Sequence, residues 1–248
     1  MKYSFTTPRD GMASHLKTLL RKEIRAAMRF YPIILAMVTL NACIAVGAPI
    51  VGTRLASAVD VLGLMILMST YTMMGFSVSS FAEDKQDGML ELMVTCPVSK
   101  LEILMAKIGL GLFLAVPFAM LPYGLSAFFL LRVSGPAVLG LAAASFCASL
   151  TATSVALLLV VSIRRIEVGV YLGFMAAMLI CFTPAILLRV PVLRYLLPGY
   201  YSRQLFEAFG DYSVPVILRS IAALAVFSVV CLLIAARRVE REDAVLTV

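Results

Sequence analysis

Six runs of mostly apolar residues constrain this chain most, at about 31–51, 59–82, 106–131, 136–161, 168–188 and 214–236. A helix crossing roughly 30 Å of hydrocarbon needs about 20 such residues, and each run reaches that length. Composition agrees: 62% of residues are apolar and 14% charged, against roughly a quarter charged in a soluble domain. The expected fold is therefore an all-α integral membrane protein with six transmembrane helices. The spans take up most of the 248 residues, which predicts a single membrane domain over 1–248. Within it, residues 8–30 form an amphipathic helix, 31–236 the six-span bundle and 237–248 a tail.

Orientation follows from Lys and Arg, which concentrate on the cytoplasmic side of membrane proteins. With both termini inside, the outer loops hold only Arg54, Arg132, Arg189, Arg194, Arg203 and Arg219 of the 21 basic residues. Lys17, Arg21, Lys22, Arg25, Arg29, Arg164, Arg165, Arg237, Arg238 and Arg241 then lie inside. The expectation is a multi-pass protein of a prokaryotic cytoplasmic membrane, with N and C termini cytoplasmic. Its net charge of +7 is mainly an orientation signal, and no nucleic-acid partner is expected. About thirty polar or amphipathic residues precede the first run, longer than an ordinary signal-peptide n-region, so that run is expected to remain as a span.

Those leading residues have a pattern of their own. Leu16, Leu19, Leu20, Ile24, Ala27 and Met28 fall near one helical face, and Lys17, Arg21, Arg25 and Arg29 repeat every four residues on another. Such a helix lies in the inner headgroup layer with its basic stripe toward anionic lipid. The plainer alternative is positive flanking charge before a first span. Pro32 fits a bend into the membrane.

Between the second and third runs lies a polar island, Glu83 to Lys107, with acids at Glu83, Asp87, Glu91 and Glu102 besides Asp84. Asp87 is a good N-cap, and Met89, Leu92, Met93 and Cys96 then share a helical face. Pro97 cannot continue that helix, and Ser99 with Glu102 forms a capping box that starts another. A folded, half-apolar, acidic hairpin of this kind is a docking surface for another protein.

Catalytic chemistry is not expected. His15 is the single histidine, no G-x-x-x-x-G-K-[ST] stretch is present, and the chain therefore has no P-loop of its own. Cys43, Cys96, Cys147, Cys181 and Cys231 have no metal-ligand spacing. Asp60, Glu83 and Arg219 lie near span ends rather than at mid-membrane, which weakens a proton-coupled carrier. Polar residues inside the spans are mostly hydroxyls, Ser69, Thr72, Ser80, Ser145, Ser149, Thr153 and Ser154, with Asn41 the lone amide. They serve interhelical hydrogen bonding, worth on the order of 0.6 kcal/mol each, or a mildly polar pathway lining. Gly169, Gly173 and Ala177 make a smooth face that suits a dimer contact or intrachain packing equally. Pro117 and Pro122 bend the third span. The segment 189–213, rich in Arg and Tyr and broken at Pro198-Gly199, reads as short helices at the outer interface.

The run Gly88-Met89-Leu90-Glu91-Leu92, followed by Pro97, Ser99, Ile103 and Lys107, resembles the permease subunit of type-2 ATP-binding-cassette (ABC-2 type) transporters. The family pattern is approximately E-x-G-T-L-E-x-L-x-x-x-P-x-S, and here Met89 stands where Thr is common. Lys22-Glu23-Ile24 is similar to the family's Lys-Glu-Leu on its N-terminal connecting helix, and the segment before the sixth span is similar to its outer re-entrant hairpin. The resemblance implies that Glu83, Asp87, Gly88, Met89, Leu90, Glu91, Leu92, Met93, Pro97 and Ser99 form an ATPase-coupling element. It implies a homodimer, with the first and fifth spans near the contact, joined to cytosolic ATPase subunits that carry ATP and magnesium. Export or related outward work is implied, with no cofactor on this chain and the cargo unspecified. The rival reading is a nucleotide-independent membrane scaffold or sensor.

Overall fold

The computed structural model describes residues 12–28, 31–50, 58–87, 99–163, 165–181, 195, 197–210 and 213–246. These form eight helices, with no strand among the described residues: α1 (Met12–Ala27), α2 (Tyr31–Ile50), α3 (Ala58–Gln86), α4 (Lys100–Phe129), α5 (Gly135–Ser162), α6 (Ile166–Cys181), α7 (Pro198–Gly210) and α8 (Val214–Leu246). Four stretches, Gly63–Gln86, Lys100–Phe129, Gly135–Ser162 and Val214–Val239, are long and apolar enough to cross a membrane, which makes this a membrane protein. The expected spans 31–51 and 168–188 correspond to α2 and α6. Their described apolar stretches, Val38–Gly47 and Ile166–Ala176, are shorter than a full crossing.

Helix α5 is the hub, packed against α3, α6, α7 and α8. Its sequence explains that position. Gly140, Ala144, Ser145, Ala148, Ser149, Ala152 and Ala156 are all buried, and small side chains let neighbouring backbones approach closely where lipid supplies no hydrophobic drive for association. Val160 and Val161 extend the same face into a core with Met73, Met74, Phe81, Leu104 and Ala235. A second core joins Met65, Tyr123, Leu141 and Leu205. By contrast α8 lies at the periphery, with Leu218, Val226, Val229 and Leu233 exposed, as a lipid-facing helix would be.

Helix α4 begins where the capping signal places it. The Ser99 hydroxyl accepts the Glu102 N–H at 3.2 Å, and Glu102 Oε2 accepts the Ser99 N–H at 2.7 Å. Further along, Val116–Met120 widens into a π-helical turn with Pro117 at its start. Proline lacks an N–H and its ring collides with the carbonyl one turn earlier, so a wider turn is a natural accommodation. Pro117 and Pro122, where a bend is expected, both lie within α4, the first of them in this wider turn. Gly111 marks the tightest crossing: a Cβ there would stand 2.3 Å from both the Met73 carbonyl oxygen and the Ser77 hydroxyl of α3.

Two elements run past their expected ends. Helix α3 continues to Gln86, and α8 runs 33 residues, to Leu246. Past residue 234, α8 stays on the bundle through Ala235, Ala236 and Val239, which are buried in one cluster with Phe81, Leu104 and Val160. What the sequence presents as a tail begins as a helical extension of the bundle.

Candidate functional site

Helix α1 lies along α4 rather than presenting its apolar face to lipid. Ala27 is buried with Leu110, Leu114 and Phe118, and Ile24 packs against the same cluster. Leu20 fills the space beside Gly109, its Cδ1 only 3.1 Å from where a Cβ would be. The opposite face behaves as its charge dictates, with Lys17, Arg21 and Arg25 exposed.

Position 23 shares the buried face, three residues after Leu20 and four before Ala27, so a carboxylate there is carried out of water. Glu23 is 3% exposed and needs a cation. Lys107 of α4, 1% exposed, supplies it. Its ammonium donates to Glu23 Oε1 at 2.9 Å, to the Ser80 hydroxyl at 2.7 Å and to the Ser80 carbonyl at 3.2 Å. It also bonds the carboxylate of Asp84. The Ser80 hydroxyl passes its own hydrogen to Glu23 Oε2 at 2.6 Å. At the rim Lys22, partly exposed, stands 4.0 Å from Glu23 Oε1 and 3.9 Å from Asp84 Oδ1. Two cations thus face two carboxylates.

The cluster joins three helices: α1 through Glu23, the end of α3 through Ser80 and Asp84, and the start of α4 through Lys107. Ser77 reinforces the α3–α4 contact by donating to the Lys107 carbonyl at 2.9 Å. Gly111, one turn further along α4, lets the two backbones meet. Both flanks of the segment 88–98 are therefore fixed to each other and to α1.

The sequence-derived site residues divide accordingly. Glu83 is exposed on the last turns of α3, and Asp87 is the turn residue that ends it, its N–H on the Glu83 carbonyl at 2.9 Å. Ser99 caps α4. Gly88, Met89, Leu90, Glu91, Leu92, Met93 and Pro97 lie outside the described residues. Lys22 and Glu23 both belong to the ionic cluster. Gly169 and Gly173 face α5 of the same chain: a Cβ on Gly169 would be 3.1 Å from the Val160 Cα, and one on Gly173 would be 3.1 Å from the Ala156 carbonyl. Ala177 belongs to the same helix, α6.

Lys107, Ser80 and Asp84 were not singled out as an ionic site by the sequence pattern. The available signal was Glu23, an acid on the apolar side of a basic helix, which demands a buried cation elsewhere. Of the span hydroxyls, Ser149 meets Thr70 of α3 at 3.2 Å and Ser80 belongs to the ionic cluster, Thr72 and Ser154 donate to carbonyls four residues earlier, and Ser69, Ser145 and Thr153 are buried with no hydrogen-bond partner among the described residues. No group of three or more potential metal-ligating side chains occurs among the described residues. No protein-family model matches the chain, and no curated protein matches it.

Proposed function

We propose that this chain is the permease subunit of a type-2 ATP-binding-cassette transporter, working as an exporter or transmitting force outward. In this reading the chain has six spans, cytoplasmic termini in a prokaryotic cytoplasmic membrane, and a second copy as its dimer partner. A separate cytosolic ATPase binds ATP and magnesium and supplies the drive.

The observation that carries the reading is the ionic cluster at the base of the 88–98 segment. An element that passes force from a soluble partner into a bundle must be held on both sides, or the force is lost in bending. Asp84 precedes the segment, Lys107 follows it, and the Lys107 ammonium pairs with both Asp84 and Glu23 of a third helix. An exposed loop that merely captured a regulator would need no such mount. The ATPase works on this mount by binding two permease conformations with different affinity, which links nucleotide state to access.

Affinity purification of the full chain in mild detergent, with identification of what accompanies it, tests the proposal. Recovery of a P-loop ATPase whose hydrolysis the permease stimulates supports it. Recovery of a non-ATPase regulator alone would favour the scaffold.

A further inference from the structure

We propose that a groove between α1 and α3 binds an amphiphilic monoamine, a molecule with an apolar body ending in one protonated amine. The groove has a volume of about 290 Å³, close to the lower end of ordinary small-molecule sites. It stands independently of any ATPase, because every group that forms it belongs to this chain.

Helix α3 sets its chemistry. Thr72, Gly75, Phe76, Ser79 and Glu83 all line it, and steps of three and four residues, from 72 to 75 and 76, on to 79 and then 83, place them on one stripe of the helix. Position 72 to position 83 is a rise of about 16 Å, long enough for a short aryl or alkyl body with an amine at one end. The walls at the far end are apolar and braced. Phe76 packs edge-on against Phe118 with centroids 6.1 Å apart, and Tyr71 meets Phe174 at 6.0 Å. Gly75 leaves the middle open, since a Cβ built there meets nothing within 4 Å.

Charge selects the ligand's head. Among the described residues the lining includes two carboxylates, Glu23 and Glu83, and no Lys or Arg. Glu23 is already held by Lys107 and Ser80. Glu83 is exposed and makes no ion pair among the described residues, which leaves its carboxylate without a cation among them. An ammonium has three donors and no acceptor, and Glu83 with the Ser79 hydroxyl offers acceptors to match. An anionic head would be repelled by the same carboxylate. A phospholipid amine fits less well, because its phosphate would come close to Glu83.

The test uses the full chain in uncharged detergent micelles and dansylcadaverine, a fluorescent aryl body on a five-carbon primary amine, with its N-acetylated form as the neutral analogue. Saturable binding of the charged probe is expected, with the acetylated probe about tenfold weaker, the loss of roughly one charge-assisted hydrogen bond. Glu83→Gln should weaken the charged probe about tenfold and leave the acetylated one unchanged. Gly75→Leu should weaken both by filling the middle. Glu83 is exposed and Gly75 opens into space, and an unfolding temperature that falls in neither variant confirms an intact bundle. Equal affinity for the two probes, or indifference of the charged probe to both substitutions, would overturn the proposal. Neither result bears on ATPase association, which is read separately.

Discussion

The Lys107 ammonium and the Glu23 carboxylate, 84 residues apart in sequence, meet at 2.9 Å with both side chains buried. Their pairing decides where the amphipathic N-terminal helix sits. Without it, the apolar face of α1 would still pack on α4, with Leu20 beside Gly109, but α1 would be tied to α3 only by Ser80 on Glu23 and by Lys22 near Asp84.

Breaking the pair from one side should therefore cost more than removing it whole. Glu23→Gln leaves Lys107 with Asp84 and Ser80 only, and Lys107→Met leaves two carboxylates without their main cation. Loss of one partner of a buried pair costs about 3–5 kcal/mol, whereas exchanging the pair for uncharged groups is often near neutral. Thermal unfolding in detergent should show each single variant well below the parent and Glu23→Gln with Lys107→Met partly restored. A double variant as unstable as the sum of the singles would mean the two side chains act separately.

Two glycines on neighbouring helices should respond in opposite directions. Gly111→Ala drives a methyl into the Met73 carbonyl and the Ser77 hydroxyl, and overpacking of this kind costs about 1–3 kcal/mol. Gly75→Ala meets open space and should be stabilising by roughly 0.5–1 kcal/mol through helix propensity. Paired unfolding curves check the sign of each.

The small face of α6 is occupied within the chain, so Gly173→Leu should lower the unfolding temperature of the chain itself by forcing α6 away from Ala156. Its opposite face, with Val168, Tyr171, Leu172 and Met175 exposed, is where the proposed second copy would lie. Met175→Cys, in a background lacking the other cysteines, should crosslink between copies in membranes. Absence of that crosslink would move the dimer contact off α6.

Topology has a direct chemical readout. Ser202 is buried, whereas the side chain of Arg203 is 65% exposed, so Arg203→Cys is the better outer reporter. A membrane-impermeant thiol reagent should label it from outside, and should label Cys96 in a chain lacking the other cysteines only after the inner face is opened. Reversed labelling would invert the proposed orientation.

The sequence was most legible where one local rule sufficed. The Ser99–Glu102 capping box, the break around Pro117 and the apolar runs behind α3, α4, α5 and α8 all follow from short-range chemistry. Pairings between distant residues were not legible. Lys107 closes the polar island in sequence, and its burial is not legible there because its partners come from positions 23, 80 and 84. Gly169 and Gly173 illustrate the same limit: spacing by four announces a close approach but does not say to which helix. The length of α8 also escaped, since its polar sequence after Ala236 reads as tail until Val239 is seen against Phe81 and Leu104.

The central claim is that the segment mounted on Asp84 and Lys107 couples the bundle to an ATPase. The most direct measurement is permease-stimulated ATP hydrolysis by the co-purified ATPase, comparing the parent with Leu92→Asp, Glu91→Lys and a control at Glu242→Lys. Coupling predicts intact membrane insertion in all, stimulation falling at least tenfold in Leu92→Asp and less in Glu91→Lys, since a carboxylate within an apolar contact is the costlier change. It predicts parental stimulation in the control. Full stimulation in both hairpin variants would contradict the account.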